Sequence, residues 1–260
     1  MTTVPLPVEV AVALRTWLEV HDEVAPGAIE GLYVVGSAAL DDWTAHSDID
    51  VVAVVADPSD PDLYDGLATA QQLILAGVDR AVDGPYVAWG DLVVPAMAVQ
   101  RPWVLDGEYH VDGESFEINP VTWYTLASYG IAVRGPEPSA IGVVSELEER
   151  RDWVRGNVDT YWRGVGERLA AALAERAGEE ADGDVLEWTA LGIARMLYTF
   201  ETGDATSKRG AGRWAAERLP AHAELFELAV AVRANPQPVP RDALARAAAV
   251  TIEIADAMNR

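Results

Sequence analysis

Apolar residues in the first part of the chain recur with two different periods. Over residues 8–24 they are spaced by three and four positions, which predicts an amphipathic helix. Two short apolar runs follow, at 31–36 and 50–56, and each is bounded by Gly, Asp or Pro, as is typical of buried strands. The same patterns predict strands over 87–94 and 115–118 and helices over 61–76 and 120–129.

Beyond the turn cluster Gly-Pro-Glu-Pro at 135–138, the pattern is helical only. Helical periodicity covers 146–175, 186–201, 209–233 and 241–260, with breaks at Gly203, at Pro220 and in the proline-rich stretch 236–240. We therefore expect an α/β domain over residues 1–144, a mixed sheet with flanking helices, followed by an all-α helical bundle over residues 145–260.

Composition narrows the class of protein. Half of the residues are hydrophobic, which excludes a disordered chain, and the absence of cysteine excludes disulfides, zinc–thiolate sites and thiol nucleophiles. No run reaches the roughly 18 apolar residues of a membrane span, and the N-terminal residues lack the basic region of a secretory signal, so we expect a cytoplasmic protein that binds no membrane. The net charge of −23 disfavours nucleic acid as a partner.

The positive charges are distributed unevenly. Residues 1–133 contain three, Arg15, Arg80 and Arg101, and the other sixteen follow from Arg134 onward. Lys208 is the only lysine of the chain. A negatively charged ligand therefore has to find most of its cationic partners in the helical half.

One segment has the pattern of a phosphate and metal site. The first apolar run ends in Gly36-Ser37, ten residues pass, and Asp48-x-Asp50 begins the second run. Residues two apart on a strand project to one face, and two carboxylates so placed repel each other unless a cation lies between them. Mg²⁺ is the natural cation because it takes oxygen ligands and shares its coordination sphere with phosphates. Gly36 would allow close approach of a phosphate, to which Ser37 and Ser47 can donate.

This spacing resembles the signature of the nucleotidyltransferase superfamily related to DNA polymerase beta. The alternative is a solvated loop whose aspartates cap an ordinary strand. The second half also carries a resemblance: Ala194 to Gly203 (ARMLYTFETG), Ser207-Lys208, Trp214-Ala215 and the run from Glu217 to Pro220 (ERLP) are similar to the C-terminal domain of the aminoglycoside (3'')(9)-adenylyltransferases.

The resemblance implies a reaction and a set of residues. It implies transfer of AMP from ATP to a hydroxyl of an aminoglycoside or aminocyclitol antibiotic, of the spectinomycin or streptomycin type, with Mg²⁺ held by Asp48 and Asp50. In that family an arginine and a lysine thirteen residues apart bind the ATP phosphates, and Arg195 and Lys208 match both residue types and the spacing.

The family also implies a third carboxylate, a glutamate that acts as ligand or base. Arg80-Ala81-Val82-Asp83 resembles its context, with Asp in place of Glu, and the following Gly84-Pro85 departs from the family's continued strand. Asp91 and Glu117 are the rivals for this role. Without a base the protein would be a nucleotide-binding member without transfer activity, and a different small-molecule acceptor is the other alternative.

The resemblance identifies fewer residues for recognition of the acceptor. Gly107-Glu108-Tyr109 resembles a Gly-Glu-Trp run whose tryptophan contacts streptomycin in the family, so Tyr109 is a candidate aromatic wall. An acidic residue that contacts streptomycin in the family falls at Val185 here, with Asp184 and Glu187 close by. We expect a cationic small molecule as the acceptor and a monomeric protein.

Overall fold

The computed structural model describes residues 5–57, 60–77, 80–111, 115–175 and 178–260. The chain divides into two compact units, Met1–Glu146 and Leu147–Arg260. The first contains a six-stranded sheet and the second is helical apart from a two-stranded pair.

The sheet of the first unit is mixed. Its strand order is β5-β4-β3-β2-β1-β6, in which only β2 and β3 run parallel and all other neighbours are antiparallel. A parallel pair needs a crossover, and the helix between β2 and β3 supplies it. The strands are β1 (Ile29–Val34), β2 (Ile49–Val55), β3 (Val82–Val87), β4 (Trp103–Leu105), β5 (Glu108–His110) and β6 (Ile131–Arg134).

Both faces of the sheet are covered, which explains why the residues of β2 and β3 are buried without alternation, apart from the half-buried Asp50. One face packs on the two long helices, with Leu14, Trp17 and Leu67 fully buried, and the other packs on Trp123 and Leu126. The helices of this unit are α1 (Val8–Val24), α2 (Gly36–Ala39), α3 (Pro61–Gly77), α4 (Trp89–Leu92), α5 (Pro120–Tyr129) and α6 (Pro138–Ile141), with a 3-10 turn at Ala96–Ala98.

The sequence pattern located most of these elements and was wrong about two strands. Helices were predicted over 8–24, 61–76 and 120–129, and α1, α3 and α5 lie there, with Asn119 capping α5 through bonds from the amides of Val121 and Thr122. The strand expected over 87–94 is wrong, because β3 ends at Val87 and α4 follows. The strand expected over 115–118 is also wrong, because 116–119 form bends that lead into the cap of α5.

The strand β3 continues through Gly84-Pro85, where the sequence suggested a break. Gly84 has φ +144°, and a Cβ at this position would lie 1.8 Å from the carbonyl oxygen of Val51 on β2. The two strands can therefore approach each other this closely because residue 84 has no side chain. Pro85 lies within the same strand.

A tight hairpin that the sequence pattern did not predict joins β4 and β5. Its turn residues Asp106 and Gly107 both have positive φ, 52° and 77°, as in a type I′ turn, for which Asp-Gly is a favoured sequence. The side-chain amide of Gln71, a buried residue of α3, donates to the carbonyl of Gly107 at 3.1 Å. The hairpin is thus attached to the crossover helix.

The second unit is built on a central helix, Gly183–Thr202, against which four of the other helices pack, while the helix Arg163–Glu175 packs on the C-terminal helix Arg241–Met258. Helical structure was expected over 146–175, and it is interrupted there by one π turn, Val158–Trp162. The break expected at Pro220 is present as a 3-10 turn, Pro220–His222. The helices are α7 (Leu147–Asn157), α8 (Arg163–Glu175), α9 (Gly183–Thr202), α10 (Lys208–Arg218), α11 (Ala223–Ala234) and α12 (Arg241–Met258), and β7 (Glu180–Ala181) pairs with β8 (Val239–Pro240).

In the described part of the chain, no helix combines the length and the apolar character that crossing a membrane requires.

Candidate active site

The loop after β1 lies directly against the carboxylate of Asp50. The amide of Val35 donates to the carbonyl of Asp50 at 2.9 Å, and Gly36 then turns the chain with φ +60°. A Cβ on Gly36 would lie 1.8 Å from Oδ2 of Asp50. Only glycine leaves room for this approach, so the Gly-Ser motif and the Asp-x-Asp motif meet in the fold although ten residues separate them.

Asp48 and Asp50 stand at the start of β2, on either side of the fully buried Ile49. Asp48 is exposed and Asp50 is half-buried, whereas the rest of the strand is buried. Carboxylates at the accessible end of an otherwise apolar strand are available to a cation.

The two serines differ in how far the fold already uses them. The hydroxyl of Ser37 is buried and has no hydrogen-bond partner among the described residues. Such an orphaned donor beside Gly36 is suited to a phosphate oxygen. The hydroxyl of Ser47 accepts from the amide of Thr44 at 3.1 Å and pairs with the Thr44 hydroxyl at the same distance, so it also holds the loop in shape.

Asp83 faces Asp50 across the parallel strands β3 and β2. It is 2% exposed, and each of its two oxygens accepts a 3.0 Å bond from a turn amide, Oδ1 from Gly107 and Oδ2 from Asp106. Burial raises the pKa of the Asp83 carboxyl, the two amides lower it, and the carboxylates of Asp48 and Asp106 raise it further. The net pKa is higher than the ordinary value of an aspartate.

The rivals of Asp83 are placed differently. The carboxylate of Asp91 accepts hydrogen bonds from Nε and Nη2 of Arg101, at 2.7 and 2.9 Å, and from the amide of Ala88, at 2.7 Å. Its carboxylate is therefore committed to an ion pair and to the start of α4. Glu117 lies in the bends before α5, where its amide bonds the hydroxyl of Ser115 at 3.2 Å.

The sequence analysis named Arg80 but gave its side chain no role. Its guanidinium lies 5.5 Å from the ring centre of Trp43 and donates to the carbonyl of Ser47 at 3.2 Å, so a cation braces the loop that carries Asp48. The signal was available, since Arg80 is one of only three bases before residue 134.

The donors around Asp50 suit Mg²⁺ bound together with phosphates. The two carboxylates are oxygen ligands of the kind that Mg²⁺ prefers. Gly36 leaves space for a phosphate to approach the backbone, and the buried hydroxyl of Ser37 can donate to it. In the described ranges, no three His, Asp or Glu side chains are grouped so that they could hold a metal ion by themselves. Mg²⁺ bound here would complete its coordination with water and with phosphate oxygens.

In the second unit, Lys208 lies at the start of α10, where Ser207 caps the helix by accepting from the amide of Gly210. The Nζ atom of Lys208 lies 3.2 Å from Oε1 of Glu187, and Nη1 of Arg233 lies 2.8 Å from the same oxygen. Arg195 is half-buried in the middle of α9. Arg233 was not singled out from the sequence, because a charged residue at the end of a helix has no motif around it.

The candidate acceptor residues lie in contrasting surroundings. Tyr109 packs edge-on against Tyr86 at 5.8 Å, and its hydroxyl is buried without a hydrogen-bond partner in the described structure. Asp184 is exposed in the first turn of α9, whereas Glu187 is held by its two cations. An open groove of about 520 Å³ is lined by Glu180, Ala181, Asp182, Gly183, Asp184, Pro236, Gln237 and Pro238.

Two family models match the chain, one in each unit. Residues 16–82 match the nucleotidyltransferase domain, and residues 154–258 match the aminoglycoside adenylyltransferase C-terminal domain. The first match agrees with the geometry of the first unit, in which Gly36 packs against Asp50 of the Asp-x-Asp motif at the start of β2. The chain is therefore a nucleotidyltransferase. The second supports the aminoglycoside adenylyltransferase family over residues 154–258, as the resemblance in the sequence implied.

A solved structure has the same fold over nearly the whole chain. It is the crystal structure of the spectinomycin adenyltransferase AAD(9) from Enterococcus faecialis with ATP and spectinomycin, with a TM-score of 0.66 and 14% identity over 94% of this chain and 98% of that one. The expected order of an α/β nucleotidyltransferase domain and a helical domain is therefore confirmed. No curated protein matches the chain.

Proposed function

We propose that this enzyme transfers AMP from ATP, bound with Mg²⁺, to a hydroxyl of a cationic aminocyclitol or aminoglycoside of the spectinomycin or streptomycin type. The acceptor oxygen bonds to the α-phosphorus, the bond to the β-phosphate oxygen breaks, and pyrophosphate leaves. The observation that carries the proposal is the contact between Gly36 and Asp50 with Asp83 opposite, in a chain whose residues 154–258 match this family.

Each of the proposed site residues has a role in this reaction. Asp48 and Asp50 would hold the metal ion, which when bound would neutralise phosphate charge and polarise the α-phosphorus. Gly36, Ser37 and Ser47 position the phosphates through the loop. Lys208 and Arg195 offset the charge of the triphosphate and of the leaving pyrophosphate.

Asp83 accepts the proton of the acceptor hydroxyl. A carboxylate has about four acceptor positions, so the two turn amides leave room for a proton. Its raised pKa moves it toward the range in which a base works at neutral pH. The engagement of both its oxygens also favours a second candidate, a nucleotide-binding protein in which Asp83 is only structural and transfer is lost.

The acceptor is assigned from charge and from the related structure. The groove at the start of α9 is lined by Glu180, Asp182 and Asp184, which attract a cation, and the protein as a whole has a charge of −23. Spectinomycin is the compound bound in the related AAD(9) structure. We assign Asp184 and Glu187 to the acceptor as acidic contacts and Tyr109 as an aromatic contact, the residues that the family resemblance implies.

The test is incubation of the purified protein with ATP, Mg²⁺ and a panel of spectinomycin, streptomycin and other aminoglycosides, with products weighed by mass spectrometry. We expect one drug to gain the mass of one adenylyl group, and Asp48→Asn to abolish the gain. Glu19→Gln, an exposed acid on α1, is the matched control and should remain active.

The failures are distinguishable. ATP binding without any product means a different acceptor or a non-functional Asp83, and Asp83→Glu, which restores the family's residue, separates these two. Product formation undiminished in Asp48→Asn would refute the assigned site.

A further inference from the structure

Three helices of the second unit meet at one carboxylate. Glu187 lies in the second turn of α9, Lys208 is the first residue of α10, and Arg233 lies in the last turn of α11. Both cations contact the same oxygen, Oε1, at 3.2 Å from Lys208 and 2.8 Å from Arg233. The contacts thus join the ends of two helices to an early turn of a third.

The burial of the three side chains is graded. The side chain of Arg233 is 10% exposed, that of Glu187 14% and that of Lys208 25%. The shorter contact is with the more buried cation, and the longer one is with the cation nearest to solvent. Glu187 is therefore fixed from within by Arg233 and reaches outward to Lys208.

This arrangement restricts where the ammonium of Lys208 can lie. A lysine ammonium has three N–H donors on a flexible stem with four carbons, and Glu187 engages it from one side. The remaining donors are then directed away from the carboxylate. The ammonium of Lys208 keeps its positive charge in this contact, so it can still attract an anion such as phosphate.

We propose that Glu187 is a positioning residue that holds the ammonium of Lys208 for the phosphates of the nucleotide, with Arg233 fixing Glu187. The proposal rests on the nucleotide role of Lys208 in the proposed function. It replaces direct contact with the acceptor as the main role of Glu187, and it gives a function to Arg233, which no motif identified.

The test measures binding to the full-length protein rather than turnover. The probe is the Mg²⁺ complex of α,β-methylene-ATP, which cannot be cleaved at the α-phosphate, and adenosine is the comparison ligand; both are titrated by calorimetry. We expect Lys208→Gln and Glu187→Gln each to weaken binding of the triphosphate by about tenfold, the loss of one charge-assisted contact. Adenosine binding should be unchanged in both.

The double variant separates positioning from general structural damage. If Glu187 acts through Lys208, adding Glu187→Gln to Lys208→Gln should weaken binding by less than about twofold, because the group that it positions is already absent. Two losses that multiply would overturn the proposal. Thermal melting followed by circular dichroism checks that each variant is folded.

Two further variants complete the design. Glu201→Gln removes another acid of α9 that pairs with an arginine, Arg218, at 2.8 Å, and it should bind the triphosphate like the unmodified protein. Glu187→Asp keeps the negative charge, and it replaces Glu187→Gln in the binding experiment if that variant does not fold. Its shorter side chain should still weaken triphosphate binding by about threefold, and unchanged binding would overturn the proposal.

The outcomes distinguish this proposal from the proposed function. If the unmodified protein binds no triphosphate, both are wrong. If Lys208→Gln weakens binding but Glu187→Gln does not, only the positioning role of Glu187 is wrong. Tighter binding in Glu187→Gln would show a carboxylate that competes with phosphate, and it too would overturn the proposal.

Discussion

Asp50 and Asp83 lie directly opposite each other on the neighbouring parallel strands β2 and β3. Their surroundings differ: Asp50 is half-buried against Gly36, whereas Asp83 is buried and holds the turn of the β4–β5 hairpin through the amides of Asp106 and Gly107. The pair therefore links the proposed metal site to the β4–β5 hairpin, and substitutions at either position should affect more than one property.

Asp83→Asn should lower both stability and activity. One oxygen that accepts a turn amide is replaced by an NH₂ group, which leaves a buried backbone N–H unsatisfied and costs about 1–3 kcal/mol. Urea unfolding measures this change, and the adenylyl-transfer assay measures the loss of the proposed base. Stability unchanged within error would show that the turn does not depend on the carboxylate.

Gly36→Ala should reduce transfer by at least about tenfold, since the new Cβ would occupy the position of the Asp50 carboxylate and displace it. Gly90→Ala in α4 is the matched control, because nothing lies within 4 Å of a Cβ there, and it should be as active as the unmodified protein. Equal activity of the two variants would contradict the close contact.

The histidine at the centre of the first unit predicts a dependence of stability on pH. His21 is fully buried, with Nδ1 at 2.8 Å from the carbonyl of Trp17 and Nε2 at 3.0 Å from the hydroxyl of Tyr86. Burial lowers its pKa from 6.5 to about 4, although the bond to Trp17 opposes the shift. Between these values the unfolded chain binds the proton and the folded chain does not.

Stability contributed by neutral His21 is therefore present above pH 6.5 and is lost as the pH falls toward 4. From pH 7.5 to 5.0 the loss is about 2 kcal/mol. Urea titrations at both pH values measure it, and His21→Gln should show a loss smaller by that amount. His46→Gln, at an exposed loop position, should keep the pH dependence of the unmodified protein.

Two glycines on helices of the second unit should respond in opposite ways to alanine. A Cβ at Gly192 on α9 would lie 2.0 Å from the ring of Trp162, which ends the π turn, so Gly192→Ala should lower the free energy of unfolding by about 1–3 kcal/mol. Gly156 on α7 has open space, and Gly156→Ala should raise it by about 0.5–1 kcal/mol. Urea unfolding of both variants decides the matter, and the same sign for both would be incompatible with this packing.

The parts of the site that were predictable from sequence are those encoded within one short segment. Gly36 and Asp50 flank a single loop, and the spacing of apolar runs on either side indicates two strands, so their proximity follows from local pattern. The helices α1, α3 and α5 were predictable for the same reason, since periodicity and the Asn119-Pro120 start signal are local.

The parts that were not predictable depend on partners far along the chain. The role of Asp83 depends on the amides of residues 106 and 107, and that of Glu187 depends on Arg233, which lies 46 residues away. The short strands β4 and β5 are held by the turn at Asp106-Gly107 and by Gln71 rather than by a long apolar run. Such pairings exist only once the chain has folded.

Because β3 approaches β2 so closely at Gly84, codon 84 should be among the least tolerant in a saturation library selected for resistance to the acceptor drug. Glycine offers no side chain to nucleotide or drug, so its invariance there would reflect how two strands join. Invariance of Asp50, one strand away, would reflect chemistry. The loss of variants under selection is the same for both causes, but the amount of soluble protein differs. Variants at Gly84 should disappear from the soluble fraction, whereas variants at Asp50 should accumulate as inactive protein.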